Sequence, residues 1–281
     1  MKPLSSCAYI FVCFVCFIGI VGNGKCAAAE FRWFDYLSHT GKPTLTSLGF
    51  EPIALVGGRM WLESEDPAEL PNRYMVRKMA RDAAKRASTV VIDIEHWPIR
   101  GDESSVANSI RMYREVLRWY KDVAPDATVG LYSVIPIRDY WRSIRQSDDP
   151  ERRAWQVENT RLAAIADDVD ALFPSLYTFY EDRQGWLTYA QANIAEARRL
   201  ANGKPVYAFL TPYYEGSEES LRGLLIPEDF WYLQLQTVRK HADGVVLWGG
   251  WKRQWDQDAG WWRATETVVE EMQSNTGGTV D

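Results

Sequence analysis

Short apolar segments alternate with longer amphipathic stretches along most of this chain, and this alternation restricts its fold more than any other feature. The apolar segments are rich in Val, Ile, Leu or aromatic residues and are bounded by Pro, Gly or Asp, which is typical of β-strands. They cover 52–58, 88–97, 127–136, 169–179, 205–214 and 244–251. Several are apolar throughout, as parallel strands covered on both faces are. The pattern predicts an α/β fold with a parallel sheet.

The stretches between these segments carry the 3.6-residue periodicity of amphipathic helices. Val106, Ile110, Tyr113 and Leu117, for example, fall on one stripe. The predicted helices cover 70–87, 104–122, 151–167, 187–202, 228–241 and 258–273. Repeated β–α units favour a single distorted β/α barrel of the TIM type, with a doubly wound sheet as the alternative. The nucleotide-binding form of that sheet is disfavoured because no glycine-rich phosphate fingerprint follows the first predicted strand.

Residues 1–29 resemble a secretion signal. Lys2 precedes a nearly continuous apolar run over 8–21, and three consecutive alanines end the segment. The run of about 14 apolar residues is short for a membrane span, so we expect cleavage, with a retained N-terminal anchor as the alternative. The barrel is then predicted to occupy 30–273, followed by a flexible polar tail over 274–281. A cleaved signal predicts a secreted or periplasmic protein without a stable membrane span.

Cysteine content and charge narrow the possible functions. All four cysteines lie within 1–29, so the predicted mature domain holds neither a disulfide nor a thiolate metal site. Loss of Lys2 and Lys25 with the signal moves the net charge from −6 to −8, which argues against nucleic acid as a partner. Aromatic residues make up 13% of the chain, and aromatic faces stack on sugar rings. A polysaccharide or oligosaccharide partner fits this composition, and so does a core rich in tryptophan.

Polar and aromatic residues gather where the predicted strands end, which is where a β/α barrel places its active site. The second strand ends in Asp93-Ile94-Glu95-His96-Trp97, and later strand ends supply Tyr132, Tyr177, Tyr213, Trp248 and Trp251. Asp93 and Glu95 are two residues apart on a strand, so their side chains point to the same face. Two such carboxylates do not both ionise easily, so one pKa rises and gives an acid able to protonate a leaving glycosidic oxygen. The pair predicts glycoside hydrolysis.

The sequence also allows three other interpretations to be compared with glycoside hydrolysis. The two carboxylates could instead form ion pairs with arginines at the mouth of the barrel. Asp93, Glu95 and His96 could bind Mn or Zn, but His96 is expected to face away from the two acids, so no metal and no cofactor are predicted. A Ser-His-Asp hydrolase is disfavoured because the chain contains no G-x-S-x-G nucleophile motif.

Several segments resemble the hyaluronidase family of glycoside hydrolases. VVIDIEHWP is similar to the catalytic strand of the family, and later matches follow in family order over 90–251: ALFPSLY, KPVYAFLTPYYEG and IPEDFWYLQLQTVRKHADGVVLWGGW. The chain departs from the family at His96, where a second glutamate is usual, and over 98–100, where an arginine and a proline are usual. The resemblance implies a remote, bacterial member with a distorted barrel of fewer than eight regular strands.

The resemblance also implies a role for each matched residue. Glu95 would be the proton donor and then the base that activates water. Asp93 would orient a substrate acetamido group, whose carbonyl oxygen attacks the anomeric carbon. Tyr177 would help stabilise that group, Trp248 would form a wall under the reacting sugar, and Tyr132 would be the second active-site tyrosine.

The implied activity is a secreted endo-glycosidase that acts on an N-acetylhexosamine-containing polysaccharide by substrate-assisted, retaining catalysis. Tyr213, Trp251 and Trp97 are predicted as further substrate-binding residues because they are aromatic and lie at strand ends. Two alternatives stay open: a non-catalytic glycan-binding barrel, and a neutral-polysaccharide hydrolase that uses paired carboxylates.

Overall fold

Six parallel strands form a curled sheet in the computed structural model, which describes residues 30–216 and 218–276. The strands are β1 Arg32–Leu37, β2 Phe50–Val56, β3 Thr89–Ile92, β4 Thr128–Leu131, β5 Tyr207–Leu210 and β6 Gly244–Gly249. Their order across the sheet is β4-β3-β2-β1-β6-β5, and every hydrogen-bonded pair is parallel. The two edge strands, β4 and β5, therefore lie on either side of a gap that must be closed to complete a barrel.

An extended segment over 171–178 closes this gap. Phe173 forms a parallel bridge with Tyr132 just beyond β4, and the Pro174 carbonyl accepts a hydrogen bond of 2.9 Å from the Phe209 N–H in β5. Pro174 has no N–H of its own, so it interrupts the ladder that a regular strand would form. The fourth predicted strand is thus present as isolated bridges, and the prediction of a distorted β/α barrel is confirmed.

Within the described residues, eight α-helices surround the strands. They are α1 Arg73–Ala84, α2 Glu103–Lys121, α3 Tyr140–Ser143, α4 Pro150–Arg161, α5 Ala163–Asp168, α6 Arg183–Ala201, α7 Glu228–His241 and α8 Gly260–Thr276. Aspartates begin several of them: Asp102 accepts a hydrogen bond of 2.9 Å from the Ser105 N–H, and Asp149 precedes Pro150 at the first position of α4. No helix in the described part of the chain is both long and apolar enough to cross a membrane.

Other features also differ from the sequence predictions. Strand β1 was not predicted, because Arg32 and Asp35 break the apolar pattern of the segment. The predicted helix over 151–167 is divided into α4 and α5 at Leu162. Helix α8 extends to Thr276, three residues into the predicted tail, whereas the rest of that tail lies outside the described residues. The predicted secretion signal also lies outside them, and the secreted or periplasmic location stays a prediction.

Aromatic side chains fill the interior of the barrel, separate from the larger core between strands and helices. The interior cluster consists of Phe34, Ile53, Val91, Tyr132, Ala171, Phe173, Tyr177, Tyr207, Phe209 and Val246. Gly130 in β4 makes room for this cluster, because a Cβ there would lie 2.5 Å from the Ala171 carbonyl oxygen and would also overlap the Phe173 ring. The rings support the floor of the site from below.

Replacing Gly130 with Ala is expected to lower the free energy of unfolding by roughly 1–3 kcal/mol, because the added methyl overpacks the barrel interior. Thermal or urea unfolding measures this change. Gly58→Ala is the matched control, since a Cβ at Gly58 meets no atom within 4 Å. Equal stability of the two variants would contradict the described packing of Phe173.

Candidate active site

The end of β3 presents two carboxylates to the same side. The Asp93 N–H donates to the Val56 carbonyl at 2.8 Å, which continues the ladder one residue beyond β3. Ile94 turns the other way into the core and is 1% exposed, and its carbonyl accepts a hydrogen bond of 2.7 Å from the Tyr113 hydroxyl of α2. The buried Ile94 side chain and this hydrogen bond fix the backbone between Asp93 and Glu95. Asp93 and Glu95 consequently line one cavity, as the strand alternation predicts.

This space, the inner cavity, has a volume of about 240 Å³ and lies at the C-terminal ends of the strands. It is lined by Leu55, Asp93, Glu95, Tyr132, Arg138, Tyr177, Glu215 and Trp248. Tyr177 and Trp248 stack, with ring centroids 5.7 Å apart and an angle of 26° between the ring planes. The cavity thus combines carboxylates with an aromatic wall, which suits a ligand that has both polar groups and an apolar face.

Asp93 is the more enclosed of the two acids. Burial raises the pKa of Asp93 to about 6, and the negative charge of Glu95 contributes to the same shift. One carboxyl oxygen of Asp93, Oδ1, is buried and has no hydrogen-bond partner within the described residues. Gly57 permits this enclosure, because a Cβ there would lie 2.6 Å from the Asp93 carbonyl oxygen. A buried, unpaired acceptor in a cavity is available to a ligand that donates a hydrogen bond.

The two tyrosines of the inner cavity remain neutral phenols at physiological pH. Burial raises the pKa of Tyr132 to about 12 and raises the pKa of Tyr177 well above its ordinary value. The Tyr132 hydroxyl lies 3.2 Å from the Ser175 Oγ, and its ring centroid lies 6.1 Å from that of Tyr177. Each neutral phenol keeps its O–H as a donor, and the Tyr132 O–H donates to the Ser175 Oγ.

A second space, the outer cavity, adjoins the first and has a volume of about 300 Å³. It is lined by Ile94, Glu95, His96, Trp97, Pro98, Ile99, Arg100, Tyr113, Tyr132, Ser133, Val134 and Arg138. Glu95, Tyr132 and Arg138 line both cavities. Glu95, whose side chain is exposed, therefore lies at the junction of the two, whereas Asp93 belongs to the inner cavity alone.

The glycine pair after Trp248 sets the position of the aromatic wall. Gly249 and Gly250 have φ values of 136° and 82°, a region that side-chain-bearing residues rarely adopt. A Cβ at Gly250 would also overlap the His39 ring. The chain can turn sharply after β6 only because both residues are glycine, so Trp248 stays at the cavity while the next tryptophan, Trp251, leaves it.

Three aromatic residues predicted to bind substrate lie away from the inner cavity. Trp97 lines the outer cavity, but it is 2% exposed and its indole N–H donates to the Pro67 carbonyl at 2.9 Å. Tyr213 lines neither cavity, because its hydroxyl lies 2.8 Å from the His39 Nε2 and the Arg253 guanidinium covers its ring. Trp251 lines neither cavity and is 72% exposed.

His96 is directed away from the acids. It lines only the outer cavity, where its Nε2 lies 2.6 Å from the Pro67 carbonyl oxygen. Within residues 30–216 and 218–276, no group of three or more His, Cys, Asp or Glu side chains is arranged to hold a metal ion.

Arg138 and Glu215 were not identified from the sequence. Arg138 lies in the loop after β4, and Glu215 lies in the loop after β5. Burial raises the pKa of Glu215, which matches a carboxyl group turned into the molecule. Both residues lie within about two positions of a predicted strand end, the edge where a β/α barrel places its active site, and this proximity was the available signal.

No family model and no curated protein matches this chain. Among solved structures, bee venom hyaluronidase matches with a TM-score of 0.59 and 16% sequence identity, over 88% of this chain and 98% of that one. A putative α-L-fucosidase from Bacteroides thetaiotaomicron matches with a TM-score of 0.50 and 12% identity, over 88% and 97% of the two chains. The chain therefore shares the β/α-barrel fold of a hyaluronidase, in agreement with the resemblance found in the sequence.

Proposed function

We propose that this chain is an endo-glycosidase that hydrolyses an N-acetylhexosamine-containing polysaccharide. The observation that carries the proposal is the position of Glu95 at the junction of two cavities, with Asp93 beside it in the inner one. A polysaccharide lying across this junction would place one sugar in each cavity and the glycosidic oxygen between them next to Glu95. The fold shared with bee venom hyaluronidase, which has been solved with a hyaluronic acid tetramer, supports this class of substrate.

In the first step of the proposed reaction, protonated Glu95 donates its proton to the glycosidic oxygen as the bond to the anomeric carbon breaks. The carbonyl oxygen of the substrate acetamido group attacks that carbon and forms a cyclic oxazolinium intermediate. The acetamido N–H donates a hydrogen bond to ionised Asp93, which stabilises the positive charge on the ring. The outer-cavity sugar leaves with a new hydroxyl group.

In the second step, ionised Glu95 removes a proton from water as the water oxygen attacks the anomeric carbon. The bond from the anomeric carbon to the acetamido oxygen breaks, and the acetamido group is restored. Two displacements at the same carbon give net retention of its configuration. Glu95 ends the cycle protonated, as it began.

The acidic pair needs only one proton for this cycle. Burial favours neutral Asp93 below a pH of about 6. A bound acetamido N–H favours the ionised form of Asp93, because a hydrogen bond donated to a carboxylate stabilises its charge. Substrate binding therefore promotes the ionised form of Asp93 that the first step requires. Tyr132 and Tyr177 line the same inner cavity and would contact this sugar.

Incubation with hyaluronan, chondroitin and chitin oligomers, followed by detection of new reducing ends, tests the proposal. We expect hydrolysis of at least one of them, and inhibition by a thiazoline that mimics the oxazolinium intermediate. Cleavage of mannan or galactan alone, without thiazoline inhibition, would favour a neutral-polysaccharide hydrolase. Binding of the oligomers without new reducing ends after long incubation would favour a non-catalytic glycan-binding barrel.

A further inference from the structure

Arg138 and Glu215 are two opposite charges that line the same cavity without pairing. Neither side chain forms an ion pair or a side-chain hydrogen bond with another described residue. Arg142, a few residues away, differs because its guanidinium binds Asp139 at 2.7 Å and Glu158 at 2.7 Å. Arg142 is therefore neutralised by nearby carboxylates, whereas Arg138 faces the cavity without such a partner.

The backbone of Arg138 is held in place, and its guanidinium lies over an aromatic ring. Its carbonyl oxygen accepts a hydrogen bond of 2.9 Å from Arg100, and its guanidinium carbon lies 5.6 Å from the centroid of the Phe179 ring. Glu215 is fixed in a similar way, because its N–H donates to the Thr178 carbonyl at 2.7 Å. These contacts hold the backbone of both residues, and the hydrogen-bonding atoms of their charged ends have no side-chain partner among the described residues.

Partly buried charges are stable when they pair with each other or with a ligand, since burial removes the water that would otherwise solvate them. Here the fold keeps a donor and an acceptor apart on the wall of one cavity. A ligand that offers both acceptors and donors along its edge would satisfy both groups. The hydroxyl groups of a sugar ring have this property, because each one both donates and accepts.

We infer that Glu215 and Arg138 determine which sugar the inner cavity accepts, an inference that rests on the proposed function. Glu215 accepts hydrogen bonds from ring hydroxyl groups of the inner-cavity sugar. Arg138, which lines both cavities, donates to oxygen atoms of the sugars on either side of the scissile bond. The pair thereby selects the pattern of hydroxyl groups and helps to position the bond that is cleaved.

Binding of defined sugars to the full chain tests this inference. The probes are the methyl β-glycosides of N-acetylglucosamine and N-acetylgalactosamine and their 3-, 4- and 6-deoxy forms, with Kd values measured by protein NMR titration. The wild type is expected to bind one parent about tenfold or more tightly than at least one of its deoxy forms, as a hydrogen bond to a charged group allows. In Glu215→Gln, this preference is expected to fall to about threefold or less.

Two further variants complete the design. Arg138→Met removes the guanidinium and keeps an unbranched side chain, and it is expected to weaken binding of an N-acetylated disaccharide by about tenfold, more than binding of the monosaccharides. Glu219→Gln is the matched control, because Glu219 is exposed in the same loop as Glu215 and lines neither cavity. It is expected to bind every probe as the wild type does.

Three other outcomes would contradict the inference. If Glu215→Gln keeps the wild-type preference for the parent glycoside over its deoxy forms, the inference is wrong and the proposed function stays intact. Failure of every probe to bind, together with absence of hydrolysis, would overturn both. Loss of hydrolysis in Glu215→Gln with unchanged Kd values and recovery by azide would identify Glu215 as a covalent nucleophile, again overturning both.

Discussion

Glu95→Gln is expected to abolish hydrolysis while leaving the fold and sugar binding intact. The substitution keeps the shape of the side chain at the junction of the two cavities, but an amide has no proton to donate to the glycosidic oxygen and cannot activate water. General acid–base catalysis contributes about 10²–10⁴-fold to such reactions, so we expect a loss of at least this size. Reducing-end detection on the acetamido polysaccharide cleaved by the wild type measures it.

The matched control for this variant is Glu63→Gln. Glu63 is exposed in the loop after β2, at the same end of the barrel, and it lines neither cavity. Its replacement is expected to leave kcat and KM close to the wild-type values. Retention of more than about a tenth of the wild-type rate by Glu95→Gln would contradict its role as the proton donor.

Asp93→Asn is expected to raise stability and lower activity at the same time. Burial raises the pKa of Asp93 from an ordinary value of 3.8 to about 6 in the folded protein. The folded state therefore binds more protons than the unfolded state between these values, and this contribution to stability is lost as the pH rises through 6. Above that pH, the folded wild type holds a charge that the enclosed site disfavours. The amide removes this penalty.

Thermal unfolding at pH 8, 6 and 4 measures the stability change. Asp93→Asn is expected to be more stable than the wild type at pH 8, with a difference that decreases as the pH falls towards 4. Asp126→Asn serves as the control, because Asp126 is exposed in the loop before β4. A stability difference that is the same at pH 8 and pH 4 would show that protonation of Asp93 does not cause it.

The activity of Asp93→Asn should fall most on acetamido substrates, since an amide cannot stabilise the positive oxazolinium as a carboxylate does. For the wild type, kcat/KM is expected to decrease as the pH drops below about 6, because a protonated Asp93 no longer supplies that charge. A pH profile of kcat/KM on one acetamido substrate tests both statements. An unchanged rate for the variant on that substrate would exclude the proposed role of Asp93.

Local patterns were sufficient to predict much of the fold and the centre of the site. The period-2 geometry of a strand places Asp93 and Glu95 on one side whatever surrounds them, and the structure has them on one cavity. The 3.6-residue stripe likewise predicted α7 at its observed bounds, Glu228–His241. These features depend on neighbours within a few residues, so the sequence alone determines them.

Strand β1 shows what local patterns could not supply. Its sequence is mixed because Arg32 pairs with Glu51 of β2 and Asp35 pairs with Lys42, and these partners compensate charges that otherwise argue against a buried strand. Both of its edges are completed by pairing with β2 and β6. Strand β6 is distant from β1 in sequence, so β1 is stable as a strand only in the folded barrel.

The amino-acid sequence determined which residues could perform the chemistry, and the tertiary structure decided which of them meet. Tyr213 and Trp251 lie at strand ends as predicted, yet packing against His39 and a glycine turn direct them away from the inner cavity. Arg138 and Glu215 come from distant loops and enter the cavity because the barrel closes between β4 and β5. Closure of the barrel also encloses Asp93 and leaves Glu95 at the junction of the two cavities. The direction of each side chain depends only on its strand, whereas its burial depends on the whole barrel.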